Sequence, residues 1–243
     1  MLAKRLGILV LAGGLLLPAF SAAEPAHRVK SGTGFFVSHD GFLVTSAHVV
    51  TDCPSLSIWG SNGGERPGYI IAADRRRDVA LLWADGSIAR QSAVAAPAPP
   101  HAGEEVFTLG FGVVATQPLQ PVIAEGSFVG DSTSQPGNRI LVIRARLHAG
   151  NSGGAVLAAD GSLLGMVIGR DRRDPDLGVA IPGRDIGALL AAYGIALPQR
   201  RGGGDARQLL GAISVLIQCT AAAQDSPAMP QERSSPRADR LRP

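Results

Sequence analysis

The sequence lacks long hydrophobic runs, strong net charge and cysteine, and each lack excludes something. After the first twenty-odd of its 243 residues no uninterrupted apolar run approaches the ~20 needed to cross a bilayer, so stable membrane insertion of the remainder is not expected. The formal charge is only +3, and without Lys4 and Arg5, which lie in a segment expected to be removed, it is +1. That balance gives no footing to a nucleic-acid partner. The two cysteines, Cys53 and Cys219, are too few for a disulfide-stapled miniprotein, and the chain is too long for one. His27, His39 and His101 have no clustered cysteine or carboxylate at ligand spacing, so no metal site and no cofactor is expected. What the chain has in quantity is glycine and proline: 31 and 17, together 48 residues. This is about a fifth of the chain against roughly 12% in average usage, which favours many turns over long helices and so an all-β domain.

Residues 1–23 have the form of a secretory signal peptide. Lys4 and Arg5 make the charged start, Gly7 to Phe20 the apolar stretch broken by Pro18, and Ser21-Ala22-Ala23 the small-residue cleavage site. The expected mature chain begins at Glu24 and is periplasmic or secreted, with no nearby cysteine to take a lipid. An even cysteine count in an exported chain is compatible with a Cys53–Cys219 bridge, and two buried thiols are the alternative. Across the 166 positions between them, loop closure would contribute about 5 kcal/mol to an unstrained bridge.

Short apolar runs recur from residue 34: Phe35-Phe36-Val37, Phe42-Leu43-Val44, Leu56 to Trp59, Tyr69-Ile70-Ile71 and Val79 to Trp83. Asp40-Gly41, Asn62-Gly63 and Asp85-Gly86 punctuate them, pairs that tolerate the positive φ of tight hairpins. Residues 94–103 hold three prolines and no periodicity and are expected to link two halves, 24–93 and 104–196. A second strand series follows: Val106 to Leu109, Val122 to Ala124, Ile140 to Ile143, Ala155 to Leu157 turning at Asp160-Gly161, Leu163 to Ile168, and Val179 to Ile181. Ile186, Leu189 and Leu190 have helical spacing within 185–193. In the extension 197–223, residues 205–219 fit a helix or, from Ser214, a last strand. Residues 224–243, rich in Pro, Ser and Arg, are expected to be disordered.

Three peptides carry chemistry. Gly150-Asn151-Ser152-Gly153-Gly154 sets a serine among glycines, which allow a tight loop to aim the N–H groups of Gly150 and Ser152 at one point as an oxyanion hole. A serine hydroxyl is a poor nucleophile at neutral pH and needs a base. Thr45-Ser46-Ala47-His48-Val49-Val50 places a histidine just after an apolar strand, held firmly yet able to reach a cleft. Arg77-Asp78-Val79-Ala80-Leu81-Leu82 places a carboxylate at the mouth of another strand, where it can orient an imidazole; Asp74 is its nearest competitor and Asp52 a distant one.

Together these peptides resemble the trypsin-like, chymotrypsin-fold serine proteases, and most closely the bacterial HtrA-type exported peptidases. The resemblance rests on SGTGFFVSHDGFLVTSAHVV from Ser31, RDVALL from Arg77, TLGFG from Thr108, HAGNSGGAVL from His148 and GVAIP from Gly178, over about residues 29–196. The order His48, Asp78, Ser152 is the order of that fold. The resemblance implies two six-stranded antiparallel barrels with a short C-terminal helix, His48 and Asp78 on the first, Ser152 on the second, and polypeptide substrates. It implies the specificity pocket at Arg146 and at the strand near Ile168, Gly169 and Arg170, where guanidinium groups would favour acidic side chains unless both point to solvent.

Departures from the family matter too. Residues 197–243 are too few for the PDZ domain that follows the protease in HtrA proteins. Asn151 stands where digestive enzymes have the Asp that receives a new N-terminus, so no zymogen salt bridge is expected. The short run before the first strand favours a monomer. A peptide-binding or chaperone-like protein on the same fold, with little turnover, is the rival reading.

Overall fold

The computed structural model describes residues 27–222 other than 62, 87, 88, 90, 113–118 and 200–203. The leader expected at 1–23 and the disordered tail expected at 224–243 lie outside the described residues. In chain order come β1 (His27–Phe36), β2 (Phe42–Thr45), the one-turn helix α1 (Ala47–Val50), β3 (Ser55–Trp59), β4 (Glu65–Asp74) and β5 (Val79–Ala84). Then follow β6 (Val94–Ala95), β7 (Glu105–Gly110), β8 (Val122–Gln135), β9 (Asn138–Ala145), β10 (Ala155–Ala158), β11 (Ser162–Arg170) and β12 (Leu177–Pro182). The chain ends in α2 (Gly183–Ala191), α3 (Ala206–Ile213) and β13 (Ser214–Ala222).

These strands form two closed six-stranded antiparallel barrels, as the resemblance implies. The first runs β1-β13-β3-β4-β5-β2; the second runs β10-β7-β8-β9-β12-β11 and closes through a β10–β11 pairing. Consecutive residues face opposite sides of a strand, and here both sides are buried. Phe36, Leu43, Ile58, Leu82, Val215 and Ile217 fill the first barrel. Their neighbours Phe35, Val44, Leu81 and Leu216 join Phe107, Leu157, Met166 and Ile181 in a core shared between the barrels. That double burial is why Phe35-Phe36-Val37 and Val79 to Leu82 are continuous apolar runs rather than alternating ones.

The structure changes or completes three of the sequence expectations. The first barrel is not built from residues 24–93 alone: its sixth strand is β13, from the extension, paired with β1 over nine positions and with β3 over five. Residues 205–219 turn out to satisfy both readings in succession, helix α3 and then strand β13. The physical reason is closure: β1 and β3 need a partner between them, and the apolar alternation of Val215, Leu216 and Ile217 supplies one with both faces covered. The expected linker also does more than connect. Val94 and Ala95 add a short parallel strand, β6, to β11. His27 opens β1.

Candidate functional site

His48 sits on α1, whose other residues Ala47, Val49 and Val50 are buried, so the imidazole is the side chain left pointing out of the barrel. Its side chain is 51% exposed. Ser46, at the helix start, makes no capping bond; its hydroxyl instead donates to Val167 O in the second barrel at 3.1 Å.

Asp78 closes the turn before β5 with φ +57°. That left-handed conformation is uncommon outside glycine and is tolerated best by Asp and Asn. Asp74 builds the turn: its Oδ1 accepts from Arg76 N and Arg77 N at 2.9 and 3.0 Å, and its Oδ2 pairs with the Arg77 guanidinium at 2.9 Å. Burial raises the Asp74 carboxyl, but these hydrogen bonds and the Arg77 charge outweigh it and hold the group below the ordinary carboxylate range. Asp74 is thus the turn's staple and Asp78 the group it presents. The Asp78 carboxylate grips His48 twice, accepting from the backbone N–H at 2.9 Å and lying 2.7 Å from ring Nδ1. A carboxylate accepts only, so Nδ1 carries the proton and Nε2 is left as an acceptor.

Ser152 lies in the loop between β9 and β10, half-buried. Asn151, 4% exposed, folds this loop onto itself: Oδ1 accepts from His148 N at 2.8 Å, its own N–H donates to His148 O at 3.2 Å, and its carbonyl accepts from Gly154 N at 2.9 Å. Gly150 and Gly153 have φ of +99° and +85°, and a Cβ on either would overlap main-chain oxygens, of Phe111 and Thr33 respectively. Glycine is therefore required at both. Among the described residues the N–H groups of Gly150 and Ser152 donate to no protein acceptor.

One carbonyl takes a bond from each half. Gly153 N donates to Val167 O at 2.7 Å, the same oxygen that takes the Ser46 hydroxyl. The residue after Ser152 and the residue two before His48 therefore share a single acceptor. Among the described residues no hydrogen bond joins Ser152 Oγ to the His48 ring; such bonds are often long in ligand-free proteins and tighten on substrate.

Arg146 and Arg170 are both exposed. Arg170 Nη1 donates to Leu147 O at 3.4 Å, which sets Arg170 beside the segment that carries Arg146. Leu147 is buried against Gly178 of β12. Cys53 and Cys219 are joined as a disulfide, with Cα atoms 5.5 Å apart, tying β13 to the segment that follows α1.

Thr33 escapes the sequence reading. Its only signal there is a hydroxyl between two glycines, just before the apolar run Phe35-Phe36-Val37. It is fully buried, and it touches the Ser152 loop with its N–H, its carbonyl and its hydroxyl.

Comparison with known proteins agrees with this construction. The family model described as a trypsin-like peptidase domain matches residues 32–166. A probable periplasmic DegP-like serine endoprotease of Rhizobium meliloti is 31% identical over 56% of this chain and 27% of its own length. The serine protease HTRA1 of Xenopus tropicalis is 32% identical over 62% of this chain and 33% of its own. The chain thus spans about a third of the length of the curated relatives it matches. The active form of the Rv3671c protease from Mycobacterium tuberculosis superposes with a TM-score of 0.60, at 21% identity, covering 80% of this chain and 99% of that one, a likeness of fold. With its family model spanning the His48 turn, the Asp78 turn and the Ser152 loop alike, this chain belongs to the trypsin-like peptidase domain family.

Proposed function

We propose that this chain is an exported serine endopeptidase that hydrolyses peptide bonds through an acyl-enzyme. The observation that carries the reading is the double grip of Asp78 on His48, which leaves Nε2 as a proton acceptor; Ser46, two residues before His48, and Gly153, next after Ser152, meet at Val167 O. Ser152 Oγ attacks the scissile carbonyl while its proton passes to His48 Nε2. The Asp78 carboxylate holds the Nδ1–H and stabilises the imidazolium so formed. The oxyanion is received by the N–H groups of Gly150 and Ser152, which are free to take it. His48 then gives its proton to the departing amine, and a water activated by the same imidazole releases the acyl group from Ser152. Asn151 bonds within its own loop, which supports activity without a newly cut N-terminus.

Arg146 and Arg170, both exposed and brought near each other in the chain by the Arg170 bond to Leu147 O, would favour acidic side chains beside the scissile bond. Residues 1–23 would direct export, and the mature protein would act on polypeptides as a monomer. The test is a fluorophosphonate probe on the mature protein, with the label located by mass spectrometry, followed by casein cleavage and a peptide library varied at the residue before the cut. The reading expects label on Ser152, none in Ser152→Ala, casein cleavage, and a preference for Glu or Asp. A folded wild type that takes no label would favour the peptide-binding alternative, and labelling without casein cleavage would favour an esterase.

A further inference from the structure

We infer that Thr33, on the first barrel, is a positioning residue for the oxyanion-binding loop of the second; the inference rests on the serine peptidase reading. Thr33 makes three bonds at this junction. Its hydroxyl donates to Gly150 O at 2.6 Å and accepts from Phe111 N at 3.2 Å, and its N–H donates to Ser152 O at 2.8 Å.

Those acceptors belong to particular peptide planes. The Gly150 carbonyl lies in the plane joining residues 150 and 151, and the Ser152 carbonyl in the plane joining 152 and 153. The N–H of Ser152 lies in the plane between them, and that of Gly150 in the plane just before. Because a peptide unit is rigid, fixing two alternate planes leaves the Ser152 N–H clamped from both sides and the Gly150 N–H from one. Gly150 needs such a clamp. At φ +99° it occupies a region open to glycine alone, and glycine's own backbone freedom would let that peptide turn its N–H away from the oxyanion site.

The Thr33 strand also fits the loop by shape. A Cβ on Gly153 would overlap Thr33 O, which itself accepts from the Thr45 hydroxyl at 2.6 Å. Thr45 ends β2 and stands three residues before His48. One strand of the first barrel therefore sets the aim of the second barrel's N–H groups and contacts the strand leading to the imidazole.

The test compares Thr33→Val, which keeps the shape and loses the hydroxyl, with Thr33→Ser, which keeps the hydroxyl. On a peptide substrate Thr33→Val should lose about tenfold to a hundredfold in kcat, less than the ~10²–10³ for deleting an oxyanion donor outright. Its KM should stay within about threefold, as expected when only transition-state binding is lost. Affinity for a peptidyl aldehyde should fall in proportion to kcat/KM, and Thr33→Ser should recover to within about threefold of wild type. Amide hydrogen exchange gives a second readout that needs no turnover: Phe111, which donates to the Thr33 hydroxyl, and Asn151, whose N–H shares the peptide plane of the Gly150 carbonyl and donates to His148 O, should exchange faster in Thr33→Val, while Gly153, bonded to Val167 O, should not. An unchanged kcat in an active background, a loss confined to KM or Tm, or unchanged exchange at Phe111 and Asn151 would overturn the inference. If wild type itself does not hydrolyse peptides, the peptidase reading fails, and exchange alone decides whether Thr33 holds the loop.

Discussion

The two barrels differ in how the chain closes them. The second is contiguous: every strand of its closed circuit comes from residues 105–182, and its interior, with Val106, Phe128, Ile143, Val156 and Val167, is drawn from the same stretch. The first is closed by the far end of the chain, because β13 stands between β1 and β3 and contributes Val215 and Ile217 to its interior. The barrel that carries His48 and Asp78 therefore stays open until the last segment is in place, whereas the barrel that carries Ser152 needs no such return. The return to the first barrel runs through α3, which rests on the second barrel through an Arg207–Glu125 pair and an Arg207–Phe107 ring contact before the chain crosses back.

Removal of residues 206–243 should break this comparison most severely. Hydrogen exchange should show protection lost in β1 to β5 and retained in β7 to β12, with fluorophosphonate labelling abolished. Uniform loss in both barrels would mean the second is not self-sufficient.

A milder lesion at the same place is Cys53→Ala with Cys219→Ala. It frees β13 from the segment after α1 and should cost about 2–5 kcal/mol in denaturant unfolding, with exchange rising first in β13 and β3.

Smaller still is Asp74→Asn, which weakens the turn that presents Asp78. Two backbone bonds and one ion pair to a carboxylate suggest a loss of about 1–3 kcal/mol at neutral pH. The Asp74 carboxyl titrates lower when folded than unfolded, so its contribution is present above the ordinary Asp pKa of 3.8 and is lost as pH falls through the folded value. Wild type and variant should thus converge in stability in acid, and a gap that stayed constant with pH would contradict the staple. Arg207→Ala should do least, shifting Tm only slightly, because its pair with Glu125 is solvent-exposed.

Much of this arrangement was legible in the sequence, for reasons that mark where legibility stops. His48 and Asp78 could be read because His48 follows an apolar strand by three residues and Asp78 directly precedes another, and Ser152 because the loop geometry demands glycines around it. The place of β13 could not be read. A strand's partners in a closed barrel are chosen by which edges remain open, a nonlocal matter, so residues 214–219 showed strand character without showing which barrel they completed. Thr33 was hidden because a buried hydroxyl is recognised only by its partners, and Gly150 and Phe111 lie 117 and 78 positions away. The roles of Arg146 and Arg170 stayed open because long, exposed side chains are not aimed by sequence.

The central claim is that docking of the two barrels makes Ser152 a nucleophile served by His48. The most direct measurement is the rate at which a fluorophosphonate labels Ser152 in wild type, His48→Ala and Asp78→Asn, each verified as folded by circular dichroism. Rapid labelling of wild type, with a fall of about 10³-fold or more in both variants, is the result predicted. Equal rates in all three proteins would contradict it.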